Sequence, residues 1–308
     1  MQYMRQEITS FTSTNLVDEY NEWSPSTTYV LETDNNNLTN ASMARLGTWY
    51  YRSLINNNLN FSPETWLDIK WVKYQVSNKY AMLDLSANSK SIFMGGNLTV
   101  TFLQEQMTTL GIGNFEAEYV TFEILALDGT TVLWSLDTLS STNENVTDYY
   151  SYIYEEYGYI IDRTLKVDLP VIGEYVRLTF HKSGNSDRTA CGYLVGGTPV
   201  DMGKTLMGVK FNFTSYAVKK VDAFGALTIT KRAVQDLVDF ETTMNAEQLP
   251  YIRREIKKVY NNIVLFILDE NSTGNYENLL TLGVIQDASV LLKNHVEVTM
   301  GFSIMESI

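Results

Sequence analysis

Two histidines, one cysteine and several crowded carboxylates are the side chains in this 308-residue chain best suited to chemistry. Zinc binding or acid–base work by histidine needs a second ligand or base at a set spacing, as in His-Glu-x-x-His. His181 follows the apolar run that ends at Phe180, and His295 lies more than a hundred residues further on. Neither has a spaced carboxylate pair beside it, so each reads as a solvated or locally hydrogen-bonded residue at a strand end. A lone cysteine can neither close an internal disulfide nor supply a cysteine-based zinc site. Cys191, within Ala190-Cys191-Gly192-Tyr193-Leu194-Val195, reads as a buried thiol on a strand.

Gly203-Lys204-Thr205 has the ending of a phosphate loop, but the position that should hold the leading glycine is Thr198. The run from Gly192 to Gly197 lacks dinucleotide spacing and a following helix. Glu155-Glu156, set between Tyr154 and Tyr157, is the most crowded acidic and aromatic spot. Polysaccharide cleavage by a carboxylate pair is the chemistry it could support; an exposed loop or a subunit contact is the plainer reading. The sequence therefore assigns no catalytic set, no metal and no cofactor.

Charge narrows the partners. With 23 Lys and Arg against 36 Asp and Glu, the net charge is −13, the opposite of a nucleic-acid-gripping surface. Residues 1 to 22 carry Arg5, Glu7, Asp18 and Glu19 without an apolar core, so no secretory signal is read there. The longest apolar run, Ile263 to Leu268, is six residues, against roughly 20 for a membrane helix. Membrane insertion is not expected, and the Asn-x-Ser/Thr matches read as chance.

The elements that must position these residues fall into three stretches of a mainly β, multidomain chain. Residues 1–90 read as a small aromatic-rich β module, with Trp23, Tyr29, Trp49, Tyr50, Tyr51, Trp66 and Trp71 spaced by Asn-rich loops. Exposed rings could stack on sugars; buried ones would be the core of a domain short of aliphatic mass, or a contact with another protein. Residues 91–204 alternate in period two, as in Leu98, Val100 and Phe102, then Val120, Phe122 and Ile124. Asp128-Gly129 predicts a hairpin into Val132-Leu133-Trp134, and the series suggests a β-sandwich or jelly roll. Residues 205–308 predict an antiparallel sheet with one packed helix, 246–260, striped by Leu249, Ile252, Ile256 and Val259. Asn245 and Gln248 have the spacing of a capping box.

Several blocks carry a likeness: Tyr20-Asn21-Glu22-Trp23-Ser24 with Thr27-Thr28-Tyr29, Trp49 to Leu54, Pro63 to Trp66, Asn78 to Asp84, Ala190 to Gly197 with Val200 to Gly203, and Tyr216 to Lys220 with Phe224-Gly225. Together they resemble a family of bacteriophage tail-associated structural proteins, the rings and adaptors of tail or neck. The first stretch is also distantly similar to small chitin-binding modules, through Trp23, Tyr29, Tyr50 or Tyr51, and Trp66. Where those modules carry a Gly-Asp pair, this chain has Leu31-Glu32-Thr33-Asp34 and an Asn-rich insertion.

The resemblance implies a non-enzymatic virion protein, assembled in the host cytoplasm into a homo-oligomeric ring or adaptor. It would have no cofactor, portal, neck or other tail proteins as partners, and DNA passing through without specific binding. A tail component that holds host glycan through Trp23, Tyr29, Trp49, Tyr50 and Trp66 is the alternative, and a polysaccharide-degrading tail enzyme a minor one. The final apolar strand, 296–304, with Val298, Thr299, Met300 and Phe302, is expected to form the oligomer contact by extending a neighbour's sheet; the alternative is a strand central within its own domain, with the contact made elsewhere.

Overall fold

The computed structural model describes residues 1–308 except 33, 35–36, 87, 139–163, 185–186, 207, 222–226, 231, 233, 269–279, 293–295 and 308. Glu155-Glu156, His295 and Phe224-Gly225 therefore lie outside the described residues. The chain is mainly β and multidomain, with several separate antiparallel sheets and, among the described residues, one short α-helix near the C-terminal end.

Alternation places the central strands. Leu98–Leu103, Tyr119–Leu125 and Tyr175–His181 each bury every second residue, because successive side chains point to opposite faces. They form a five-stranded sheet with Val132–Asp137 at one edge and Ser13–Thr14 at the other. The hairpin expected at Asp128-Gly129 is present: Leu125 pairs with Val132, and Gly129 takes φ +68° in the turn. The Asp128 carboxylate accepts the Thr130 and Thr131 backbone N–H groups, both at 2.9 Å. Facing this sheet is a three-stranded one of Thr164–Asp168, Thr109–Gly113 and Tyr193–Gly197. Leu110, Ile112 and Leu194 from it share one core with Phe102, Phe122 and Phe180.

The C-terminal sheet has eight strands. Its spine is Val264–Ile267, Leu280–Leu292, Glu297–Glu306 and Val234–Asn245, in that lateral order. The helix Leu249–Val259 covers one face with Ile252, Ile256 and Val259, which pack among Phe240, Phe266, Met300 and Phe302. The opposite face is closed at one end by the central region, where Met4, Leu265 and Leu282 meet Tyr193 and Val195. Gly111 allows that approach, since a Cβ there would lie 2.1 Å from Leu265 Cδ2. All four residues of Val264–Ile267 are buried for this reason.

Three expectations need correction. The final strand is not an edge: Glu297–Glu306 is paired on both sides, Thr299 standing between Thr243 and Leu291. Val298, Met300, Phe302 and Thr299 are all buried, so no neighbour can extend the sheet there. The capping box does not form, because Asn245 is still extended strand and a 3-10 turn, Ala246–Gln248, precedes the helix. Neither Asn245 nor Gln248 makes a side-chain cap bond. The divisions near 90 and 205 are also crossed. Gln2–Met4 lies in the C-terminal sheet between Val200–Asp201 and Val264–Ile267, and Ser13–Thr14 lies in the central sheet.

A buried polar contact fastens the Gln2–Met4 strand to the helix. Tyr3 donates its hydroxyl to Glu255 Oε2 at 2.8 Å, and Lys258 Nζ donates to Oε1 at 2.6 Å. The Arg5 guanidinium stands 3.6 Å away. Burial, then the bond to Glu255, pushes the Tyr3 phenol up to about 12, so it remains a donor through the neutral range. The bonds from Lys258 and Tyr3 hold the Glu255 carboxyl below its ordinary range. A lowered folded-state value means stability that is present above the unfolded pKa of about 4.3 and is lost as pH falls through the folded value. Glu255→Gln should therefore cost about 1.5–3 kcal/mol at pH 7 and flatten the acid limb of the stability curve. Thermal melts from pH 7 down to pH 3 check both; an acid limb unchanged from wild type would refute the role.

Candidate functional site

The aromatic stretch is a small sheet, Met43–Leu46, Trp49–Ser53 and Trp71–Val76, with the pair Thr28–Tyr29 and Asn58–Leu59 beside it. Trp71 is its centre: fully buried, edge-on to Tyr29 at 4.9 Å, and donating its indole N–H to the Phe61 carbonyl at 2.8 Å. Trp23, Trp49 and Trp66 pack half-buried around Tyr29, Tyr51 and Trp71. Strand alternation sends Tyr50 to the other face, where it lies edge-on to Tyr20 at 4.9 Å and accepts the Glu19 N–H at 2.8 Å. Burial pushes its phenol up to about 12.

The structure thus gathers Trp23, Tyr29, Trp49 and Trp66 into one cluster and sets Tyr50 apart. Sugar stacking needs a bare ring face, and here ammonium groups occupy two of the candidates. Lys73 Nζ lies 3.4 Å from the Trp49 centroid. Lys70 Nζ lies 4.6 Å from that of Trp66 and 2.7 Å from that of Phe61. A glycan would have to displace them against a cation–π attraction of about 0.5–2 kcal/mol each.

The remaining chemical candidates are engaged locally. His181 stacks on Tyr119 at 4.1 Å between centroids, and its Nε2 is 2.8 Å from Thr121 Oγ1. Cys191 is buried in the central core, and burial pushes its thiol well above the ordinary range, which keeps it protonated. Lys204–Thr205 is a short strand on Thr242 and Thr243 rather than a helix start, so it cradles no phosphate. Among the described residues, no group of three His, Cys, Asp or Glu side chains is placed to hold a metal ion, and no helix is long and apolar enough to cross a membrane.

Two features of the C-terminal sheet went unread in the sequence. One is an open groove of about 450 Å³ on the face away from the helix, across Val234–Asn245, Glu297–Glu306 and Leu280–Leu292. Asp239, Glu241 and Asp287 line it together with Lys210, which stands opposite Asp239 in register, and Gly301 is at its floor. Gly301 sits between Glu241 and Ser289 in register, and the absence of a side chain there makes the groove. Asp239 is held by the Ser303 hydroxyl at 2.6 Å and the Asn212 amide at 2.7 Å. Leu291, two residues beyond Ser289 on the same strand, is 61% exposed.

The other feature is the strand Lys210–Ser215, exposed along its whole length and, among the described residues, paired on one side only, with residues 234–239. Phe211 pairs with Val238, so Phe211 and Phe213 continue the apolar helix-side face past the reach of the helix. Beyond it, among the described residues, Val218–Val221 and Leu227–Thr230 pair only with each other as a two-stranded ribbon.

No family model, no curated protein and no solved structure matches the chain.

Proposed function

We propose that this chain is a non-catalytic structural subunit of a bacteriophage particle, a ring or adaptor in the tail or neck built from copies of itself. In this reading, residues 91–204 form a β-sandwich. The observation that carries self-assembly is the open edge at Lys210–Ser215, with Phe213 70% exposed beside Tyr216 and Val234. An unpaired apolar edge invites uncontrolled pairing unless something covers it, and a closed ring of identical copies covers every such edge at once. Placement in a virion rests on the sequence resemblance, and a net charge of −13 suits a conduit that does not grip DNA. The glycan-holding alternative is weaker, because the Trp49 and Trp66 faces already hold Lys73 and Lys70.

Native mass spectrometry and light scattering on the purified full chain test the reading, followed by negative-stain imaging. A discrete closed oligomer is the expected result. A cooperatively folded monomer at every concentration would overturn it.

A further inference from the structure

The open edge is fitted to a copy of itself. Lys210–Ser215 reads Lys-Phe-Asn-Phe-Thr-Ser, and its outer side is unpaired among the described residues. Exposed edges are commonly blunted by a proline, by a bulge, or by a charge pointing into the apolar face. This strand has no proline, and its register with 234–239 runs without a shift. Its one charge, Lys210, stands opposite Asp239, on the other face of the sheet from Phe211 and Phe213. The two phenylalanines share the face of Val238, which belongs to the core under the helix. Val234 continues that face and is also exposed.

Symmetry decides the partner. In an antiparallel pair, residues directly opposite each other place their side chains on the same face. A two-fold axis perpendicular to the sheet at Asn212 sets Phe211 of each copy opposite Phe213 of the other, and Asn212 opposite Asn212. Four rings then meet on the helix side, where cross-strand aromatic pairs are favourable. Lys210 falls opposite Thr214, which keeps the two ammonium groups at opposite ends of the pairing. Moving the axis by one residue in either direction leaves a single phenylalanine pair. We propose that two copies join edge to edge through Lys210–Ser215, making one sheet continuous across a two-fold axis at Asn212. The contact rests on the self-assembly reading above and specifies it. Because a two-fold contact closes on itself, the ring has an even number of copies and a second, unlike contact.

Single cysteines on the full chain read the symmetry, because only a residue on the axis meets its own counterpart. Directly opposite Cα atoms in an antiparallel pair are about 4.5–5.5 Å apart, which a disulfide can bridge. Asn212→Cys should therefore give a disulfide-linked pair of copies under mild oxidation. Lys210→Cys and Thr214→Cys should not link when each is alone, but a mixture of the two proteins should. The native thiol, Cys191, is buried and does not interfere. All three positions are exposed, so cooperative melts near wild type are expected. Phe211→Lys with Phe213→Lys sets like charges opposite one another and should raise the midpoint concentration of assembly at least about tenfold. Wild-type assembly in that double variant, an assembled Asn212→Cys protein that never links, or a link at Phe213→Cys in its place overturns this contact and leaves the ring reading intact. A wild-type chain that stays monomeric removes both together, and exchange protection along Lys210–Ser215 in that monomer would assign the edge to another segment of the same chain.

Discussion

Phe302→Lys should prevent the C-terminal sheet from forming. Phe302 is 3% exposed and stacks on Phe240 at 5.5 Å, within the core that the helix covers. Removing such a ring costs about 3–5 kcal/mol, and an unpaired ammonium in its place adds several more. The sum is comparable to the about 5–15 kcal/mol that holds a whole domain together. Hydrogen exchange should show protection lost throughout the sheet, including Gln2–Met4 and Val200–Asp201, which pair within it. Thr299→Pro should do the same, because proline lacks a ladder donor and Thr299 has strands on both sides. A protein that melts like wild type and fails only to assemble would return Phe302 to the surface and refute the buried placement.

Trp71→Ala should unfold the aromatic module and leave the rest standing. The ring is fully buried, and its loss both empties the centre of the module and strands the Phe61 carbonyl. About 3–5 kcal/mol is expected from the ring alone. Tyr29, Ala44, Tyr51 and Trp71 form a core of their own, separate from the two larger ones. Exchange protection should therefore vanish over 43–76 and persist over 98–125, 237–267, 280–292 and 297–304. Protection lost everywhere would mean that the module is not an independent unit. Trp49→Ala and Trp66→Ala, which remove half-buried rings, should cost distinctly less.

What could be read from the sequence was what local pattern determines. Alternation at Leu98–Leu103 and Tyr119–Leu125, the turn at Asp128-Gly129 and the helical stripe from Ile252 to Val259 all depend on near neighbours, and all are found in the structure. Pairing partners are different, since nothing local to Gln2–Met4 says that it meets Val264–Ile267. The misplacement of the final strand has the same origin. Apolar alternation in Val298, Met300 and Phe302 shows that one face is buried, but not whether a strand lies on each side. Glu255 is absent from the apolar stripe, and no local pattern announces its burial, which rests on the distant Tyr3 hydroxyl together with Lys258. Within the candidate site, Phe211 and Phe213 alternate like a buried strand; their exposure follows from the length of an 11-residue helix that stops short of them.

The position of Gln2–Met4 bears on how fast the molecule can be made. Its partner strand Val264–Ile267 is some 260 residues away along the chain, so both strands and everything between them must be synthesised before the two can meet. Until then Tyr3 and Met4 have no sheet to enter, and the central region can settle first. Closing so large a loop is entropically slow, and sheets dominated by distant pairings fold on the millisecond-to-second scale or beyond. The last sheet to close is also the one that carries the exposed strand Lys210–Ser215 and the groove. A nascent chain is thereby without a finished C-terminal sheet until both strands have been made, which places a kinetic checkpoint on the folding of that sheet.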